Sequence, residues 1–137
     1  MGFLIDTSIW IAVERGKLSP ADIHKHTRQS PVFVSPVNLA ELTFGIGLMR
    51  DAKLKLRAKA MLKRIRRKPL LRITGETGEV FGELAAGLER DGRGAAFRVQ
   101  DLWLAAQAIQ RGFTILTANG KDFKDIPGLK LVVVSTP

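Results

Sequence analysis

Asp6 closes the apolar run Phe3-Leu4-Ile5. A buried strand has no use for a carboxylate at its end unless something pairs with it. Three more acids stand in comparable places. Glu41 lies about two turns into a helix that follows a second apolar run. Asp101 heads an unusually apolar stretch, and Asp122 follows the run Phe113 to Leu116 within Thr117-Ala-Asn-Gly-Lys-Asp-Phe123. A carboxylate cluster without a nearby histidine suits a hard divalent cation, Mg²⁺ or Mn²⁺. Left unneutralised, such a cluster repels itself and raises some of its own pKa values. Taken singly, each acid also has a plainer role. Asp101 favours a helix N-terminal dipole. Either Asp122 or Asp125 can cap the turn ahead of Pro127, and Glu41 can be an ordinary polar residue of an amphipathic helix.

The elements that must position these acids alternate. Residues 2–5 read as a buried strand. A helix from Ile9 to about Glu14 follows, capped by Thr7 or Ser8 and ended by Gly16. Ser19-Pro20 opens a second helix, to about Gln29. Residues 32–34 form a second strand. Ser35-Pro36 repeats the cap-and-proline signal and opens a helix through Leu48. Between Asp51 and Lys68, Leu54, Ala58, Met61, Leu62 and Ile65 fall on one face of a helix that Pro69 stops. Leu70 to Ile73 suits a third strand, residues 76–90 a helix, and Asp91 to Gly94 a loop. Asp101 to Arg111 is a helix apolar nearly all round, hence buried. Phe113 to Leu116 and Leu129 to Val134 supply the last two strands, on either side of a turn at 125–128. This order predicts an α/β fold with a mainly parallel central sheet and right-handed crossovers. All 137 residues read as a single domain.

Ligands in open α/β sheets bind just past the carboxyl ends of the strands. Asp6, Glu41 and Asp122 converge on that edge. Asp101 is harder to place. It precedes its helix, and a crossover onto the next strand is not expected to start that helix at the carboxyl edge unless residues 92–100 reach back.

The charge is uneven. Residues 50–72 hold eleven Lys and Arg and one acid, while the rest of the chain carries −1 of the net +9. Such a block is either a footprint for a polyanion or a solvated helix face that keeps the protein soluble. No apolar run approaches the ~18 residues of a membrane span. The absence of cysteine removes disulfides and thiolate chemistry and fits a cytoplasmic location.

Four stretches carry a resemblance: Phe-Leu-Ile-Asp6-Thr-Ser, Ser35-Pro-Val-Asn-Leu-Ala-Glu41-Leu, Gln100-Asp101-Leu-Trp-Leu-Ala-Ala-Gln-Ala, and Leu-Thr117-Ala-Asn119-Gly-Lys-Asp122-Phe followed by Ile126-Pro-Gly-Leu. In this order and spacing the chain resembles PIN domains, in particular the VapC-type toxin ribonucleases of bacterial toxin–antitoxin systems. The resemblance implies a three-layer sandwich with a sheet of four to five strands. It implies that Asp6, Glu41, Asp101 and Asp122 hold the metal, with Thr7, Ser8, Thr117 and Asn119 as polar support. It further implies hydrolysis of RNA, with transfer or ribosomal RNA as substrate, a VapB-type antitoxin as partner, and a homodimer. Two stretches depart from the family's pattern. Ala95-Ala-Phe-Arg-Val stands where many members have a Pro-Ile-Gly-like stretch, and Ala118 where many have Arg.

Arg98, three residues before Asp101, is a candidate phosphate contact. Arg64, Arg66 and Arg67 are candidates to hold an RNA backbone; an acidic antitoxin segment is an equally good use for that surface. Phe44, Ile46, Leu48 and Met49 offer an apolar stretch for a partner or for the core. Rival chemistries lack their residues. His24 and His26, two apart on a helix, do not form a catalytic pair. A haloacid dehalogenase-type phosphatase needs an acid where Ser8 stands. A receiver domain needs an Asp after the third strand, and residues 70–75 contain none. A binding module with an inactive acidic site is the remaining alternative.

Overall fold

The computed structural model describes residues 2–94 and 98–136. Four parallel strands, β1 (Phe3–Ile5), β2 (Val32–Phe33), β3 (Thr114–Thr117) and β4 (Lys130–Val133), pair in the order β2-β1-β3-β4. Among the described residues six α-helices accompany them: α1 (Thr7–Glu14), α2 (Pro20–Thr27), α3 (Pro36–Leu48), α4 (Ala52–Ile65), α5 (Gly75–Arg90) and α6 (Val99–Arg111).

Alternation along the strands divides the core. Ile5 and Leu116 face one side, with Ile9 and Trp10 of α1, Ile23 of α2, Leu42 of α3, and Met61 and Ile65 of α4. Leu4 and Ile115 face the other, with Leu88 of α5 and Leu102, Leu104, Ala105 and Ala108 of α6. The result is the expected three-layer sandwich. Each fully buried Leu or Ile stabilises it by about 1.5–3 kcal/mol. Stacking of Phe81 on Trp103, at 4.2 Å between ring centroids, ties α5 to α6.

The cap signals at Ser19 and Ser35 hold, each as a reciprocal capping box, with Asp22 and Asn38 respectively. Two expectations need correction. Residues 70–73 form no strand: Leu70 makes a single bridge to Val34, and the chain then leaves the sheet. Pro69 gives its carbonyl to Val34 and Leu71 its N–H, but Arg72 and Ile73 turn to the surface, so no ladder propagates. The α1 cap is Asp6 rather than Thr7 or Ser8, and its carboxylate makes no cap bond because it is used elsewhere.

Candidate active site

Strand order reverses direction between β1 and β3, the point at which open α/β sheets take ligands in a crevice beyond the carboxyl ends of the strands. Asp6 stands at this point, 7% exposed. Its backbone N–H donates to the Leu116 carbonyl at 2.9 Å, extending the β1–β3 ladder by one bond. One carboxylate oxygen, Oδ2, accepts from Ser8 Oγ at 2.7 Å and from Thr117 Oγ1 at 2.9 Å. Ser8 Oγ also accepts the N–H of Ala118, and Thr117 Oγ1 accepts the N–H of Asn119. Ala118 therefore contributes backbone here. Asn119 is exposed and likewise contributes its backbone N–H.

Glu41 is fixed by Thr7, the neighbour of Ser8 in the first turn of α1. Thr7 Oγ1 donates to Glu41 Oε1 at 3.0 Å and accepts from Asn38 Nδ2 at 3.2 Å. Asn38 is fully buried, and its Oδ1 accepts the Ser35 N–H. This positioning residue escaped the sequence analysis, although Ser35-Pro-Val-Asn38 has the capping-box offset that reveals it. Burial pushes the Glu41 carboxyl up; the Thr7 hydroxyl opposes this and the Asp6 charge adds to it.

Asp101 lies in the first turn of α6. The sequence-based difficulty with its position disappears for a simple reason. Only two residues separate the end of α6 from β3, so the chain must reverse, and the start of the helix lies at the carboxyl edge of the strands. No reach by the preceding loop is needed; Ala95, Ala96 and Phe97 lie outside the described residues. Burial first, and then the charges of Asp122, Asp6 and Glu41, push the Asp101 carboxyl up from 3.8 to about 6. The four acids thus share one electrostatic neighbourhood.

Asp122 ends a single 3-10 turn, Gly120–Asp122. It is the acid that bears on Asp101, whereas Asp125 is occupied by Arg98. Arg98 Nη1 and Nη2 bind both Asp125 oxygens at 2.8 and 2.7 Å, and Nη2 also donates to the Asp122 carbonyl at 2.7 Å. The Arg98 guanidinium beside it holds the Asp125 carboxyl below the usual range. Three of the five Arg98 donors are therefore committed to the loop that carries Asp122. Its visible role is that of a strut.

The all-oxygen donor set and its unneutralised repulsion fit a hard divalent cation. Among the described residues no three acidic or histidine side chains close into a ready-formed cation cage. The charges of Asp6, Glu41 and Asp122 all bear on Asp101.

Arg64, Arg66 and Arg67 are exposed at the end of α4. Arg66 and Arg67 line an open groove with Lys59, Lys63 and Leu62; Arg64 does not. A second, more apolar groove runs between α1, α3 and α4, over Ile11, Leu42, Ile46, Met49 and Met61, and reaches Glu41. Beside it, Phe44 and Leu48 are 70% and 66% exposed, while Ile46 belongs to the interior. His24 and His26 are both exposed. Among the described residues no helix is long and apolar enough to cross a membrane.

Residues 3–129 match the PIN domain family. The chain is 31% identical over 137 residues to Ribonuclease VapC1 of Rickettsia felis, covering 99% of this chain and 98% of the relative. It is 33% identical over 135 residues to Ribonuclease VapC of Rickettsia bellii, covering 98% and 97%. Among solved structures it resembles a chain of VapBC2 from Rickettsia felis bound to a DNA fragment from the promoter, with a TM-score of 0.82, 23% identity and coverage of 98% and 100%. It also resembles a chain of DNA-bound VapBC from Salmonella typhimurium, with a TM-score of 0.79, 24% identity and coverage of 97% and 98%.

Proposed function

As the chain belongs to the PIN domain family, among its VapC ribonucleases, we propose that it is a metal-dependent endoribonuclease acting in the cytoplasm as the toxin of a toxin–antitoxin pair. The observation that carries this reading is the convergence of Asp6, Glu41, Asp101 and Asp122, from four separate segments, on one crevice at the strand-order reversal.

Asp6, Glu41, Asp101 and Asp122 would hold Mg²⁺ or Mn²⁺. Such an ion supplies a lowered pKa for bound water and neutralisation of charge on a phosphodiester. The chain's own residues do the positioning. Ser8 and Thr117 hold one Asp6 oxygen, Oδ2, as an acceptor. Thr7, itself held by Asn38, orients Glu41. Asp101, its carboxyl pushed up to about 6, can hold a proton near neutral pH and release it when positive charge enters. Attack by water rather than by the 2′-hydroxyl leaves a 5′-phosphate and a 3′-hydroxyl.

The unpaired cations of α4 support contacts to the RNA backbone that position it without reading bases. The apolar groove that reaches Glu41 supports an antitoxin segment lying against α1, α3 and α4, over the site itself. Exposed Phe44 and Leu48 support a further apolar interface, with the antitoxin or with a second copy of the chain.

The test is cleavage of transfer and ribosomal RNA with Mg²⁺, Mn²⁺ or EDTA, followed by mapping of the ends. Metal-dependent cuts leaving 5′-phosphates are expected. Cleavage that persists in EDTA sinks the mechanism, and no cleavage under any condition favours a binding module with an inactive site.

A further inference from the structure

A cleft of about 260 Å³ lies between α1, α2 and the β2 edge, on a part of the molecule that the nuclease chemistry does not use. Its walls include Ile5, Ile23 and Val32, and its charged lining is wholly basic: Arg28 and Lys68, with His24 beside them and no acid. Among the described residues neither Arg28 nor Lys68 has a carboxylate partner. Three separate features mark the place.

The first is Trp10, which forms part of the wall and is 8% exposed. Its indole Nε1–H is buried without an acceptor, the only buried side-chain polar atom so placed among the described residues. A buried unpaired donor carries a full desolvation cost, and natural structures seldom keep one without a reason. The second is Lys68, whose ammonium stands 5.5 Å from the Trp10 ring centroid, so a cation and the indole ring share one wall. The third is the backbone of Arg28. It has φ 50° and ψ −121°, the only positive φ outside glycine among the described residues. With the Ser30 N–H on the Thr27 carbonyl at 2.9 Å, residues 27–30 form a type II′ turn. The first central position of that turn belongs to glycine. An arginine held there is strained, and strain of this kind clusters at ligand sites.

We propose that this cleft binds a phosphomonoester, with Arg28 and Lys68 neutralising the phosphate and the apolar wall, the Trp10 ring included, taking the group it is attached to. Arginine suits the task because its planar fork matches phosphate oxygens. The volume exceeds what a single anion needs, a water molecule occupying roughly 30 Å³. That favours a mononucleotide over the free ion. Trp10 lies in the same short helix as Thr7, so occupancy bears on the element that holds Glu41.

The indole N–H resonances of ¹⁵N-labelled protein provide the test. The Trp103→Phe variant assigns the Trp10 signal. Uridine 5′-monophosphate and inorganic phosphate are titrated separately, at constant ionic strength with EDTA present. The Trp10 signal is expected to move saturably with both, at lower concentration for the nucleotide. Equal saturation by both probes assigns the site to the phosphate group alone. Arg28→Gly keeps the turn, since glycine adopts that conformation freely, yet is expected to weaken binding about tenfold or more. Lys68→Ala is expected to do the same. No saturable movement with either probe overturns the proposal, as does an unchanged response in both variants.

Discussion

The molecule gathers like charges in two places, and by opposite means. The acidic crevice draws one residue each from the end of β1, the middle of α3, the start of α6 and the turn after β3. Those acids are partly or fully buried, Asp6 and Glu41 are tied to hydroxyls, and the charges of the other three push the Asp101 carboxyl up. The basic surface of α4 draws its charges from one helix. All but Lys55 are exposed, and among the described residues only Arg57 meets an acid, Glu14, at 3.6 Å. A site assembled by tertiary structure concentrates its energy in few groups and is broken by one substitution. A site assembled along a helix spreads its energy and is weakened by degrees.

The largest effect should come from Asp6→Asn, which keeps the shape and one acceptor oxygen but removes the charge. RNA cleavage should fall by roughly 1,000-fold or more, about 4 kcal/mol of transition-state stabilisation, with an unchanged circular dichroism spectrum. Wild-type cleavage would remove Asp6 from the site. Next in size, Thr117→Val removes the hydroxyl that holds Asp6 without altering side-chain volume. A loss of about 10- to 100-fold in activity or metal affinity is expected, the range for residues that orient a ligand. An unchanged rate would show that Ser8 alone suffices.

The crevice should also betray itself through pH. A carboxyl raised in the folded state makes the metal-free protein more stable as pH falls from about 6 toward 3.8, and less stable as pH rises through 6. Mg²⁺, which competes with that proton, should therefore raise Tm more at pH 7.5 than at pH 5. Asp101→Asn should flatten the metal-free pH dependence; a slope unchanged in that variant would assign it to other groups. The smallest effect per residue belongs to α4. Replacing Arg64, Arg66 and Arg67 together by Gln should reduce the slope of log affinity for single-stranded RNA against log salt by about 2, and each single change by a third of that. An abrupt loss on one substitution would mean that α4 holds a specific contact.

Much of this was legible in the chain. Ser35-Pro36 announces α3 to the residue because its cap is local, and Asp6 stands out because a strand of three apolar residues leaves it unexplained. What depends on partners elsewhere was not legible. Leu70 to Ile73 has strand composition, but a strand needs a neighbour along its length, and only Val34 is offered. Thr7 and Ser8 look like helix caps, yet their hydroxyls serve Glu41 and Asp6, residues whose proximity only the folded sheet creates. Asp101 seemed misplaced until the two-residue link between α6 and β3 fixed the direction of the helix. Nothing in the sequence marked Trp10 beyond an apolar helix position; its orphan N–H and the strained Arg28 exist only in three dimensions.

The bond from Thr117 to Asp6 spans 111 positions. On a ribosome adding about 5–20 residues per second, the carboxylate emerges roughly 6–20 s before its anchor. Strand β3, which also seats the backbone of Asp6, arrives equally late. A newly made chain therefore carries two of its four acids, Asp6 and Glu41, through most of its synthesis with no floor to fix them. The acidic arrangement is among the last things completed, which gives a partner time to be present before there is anything to restrain.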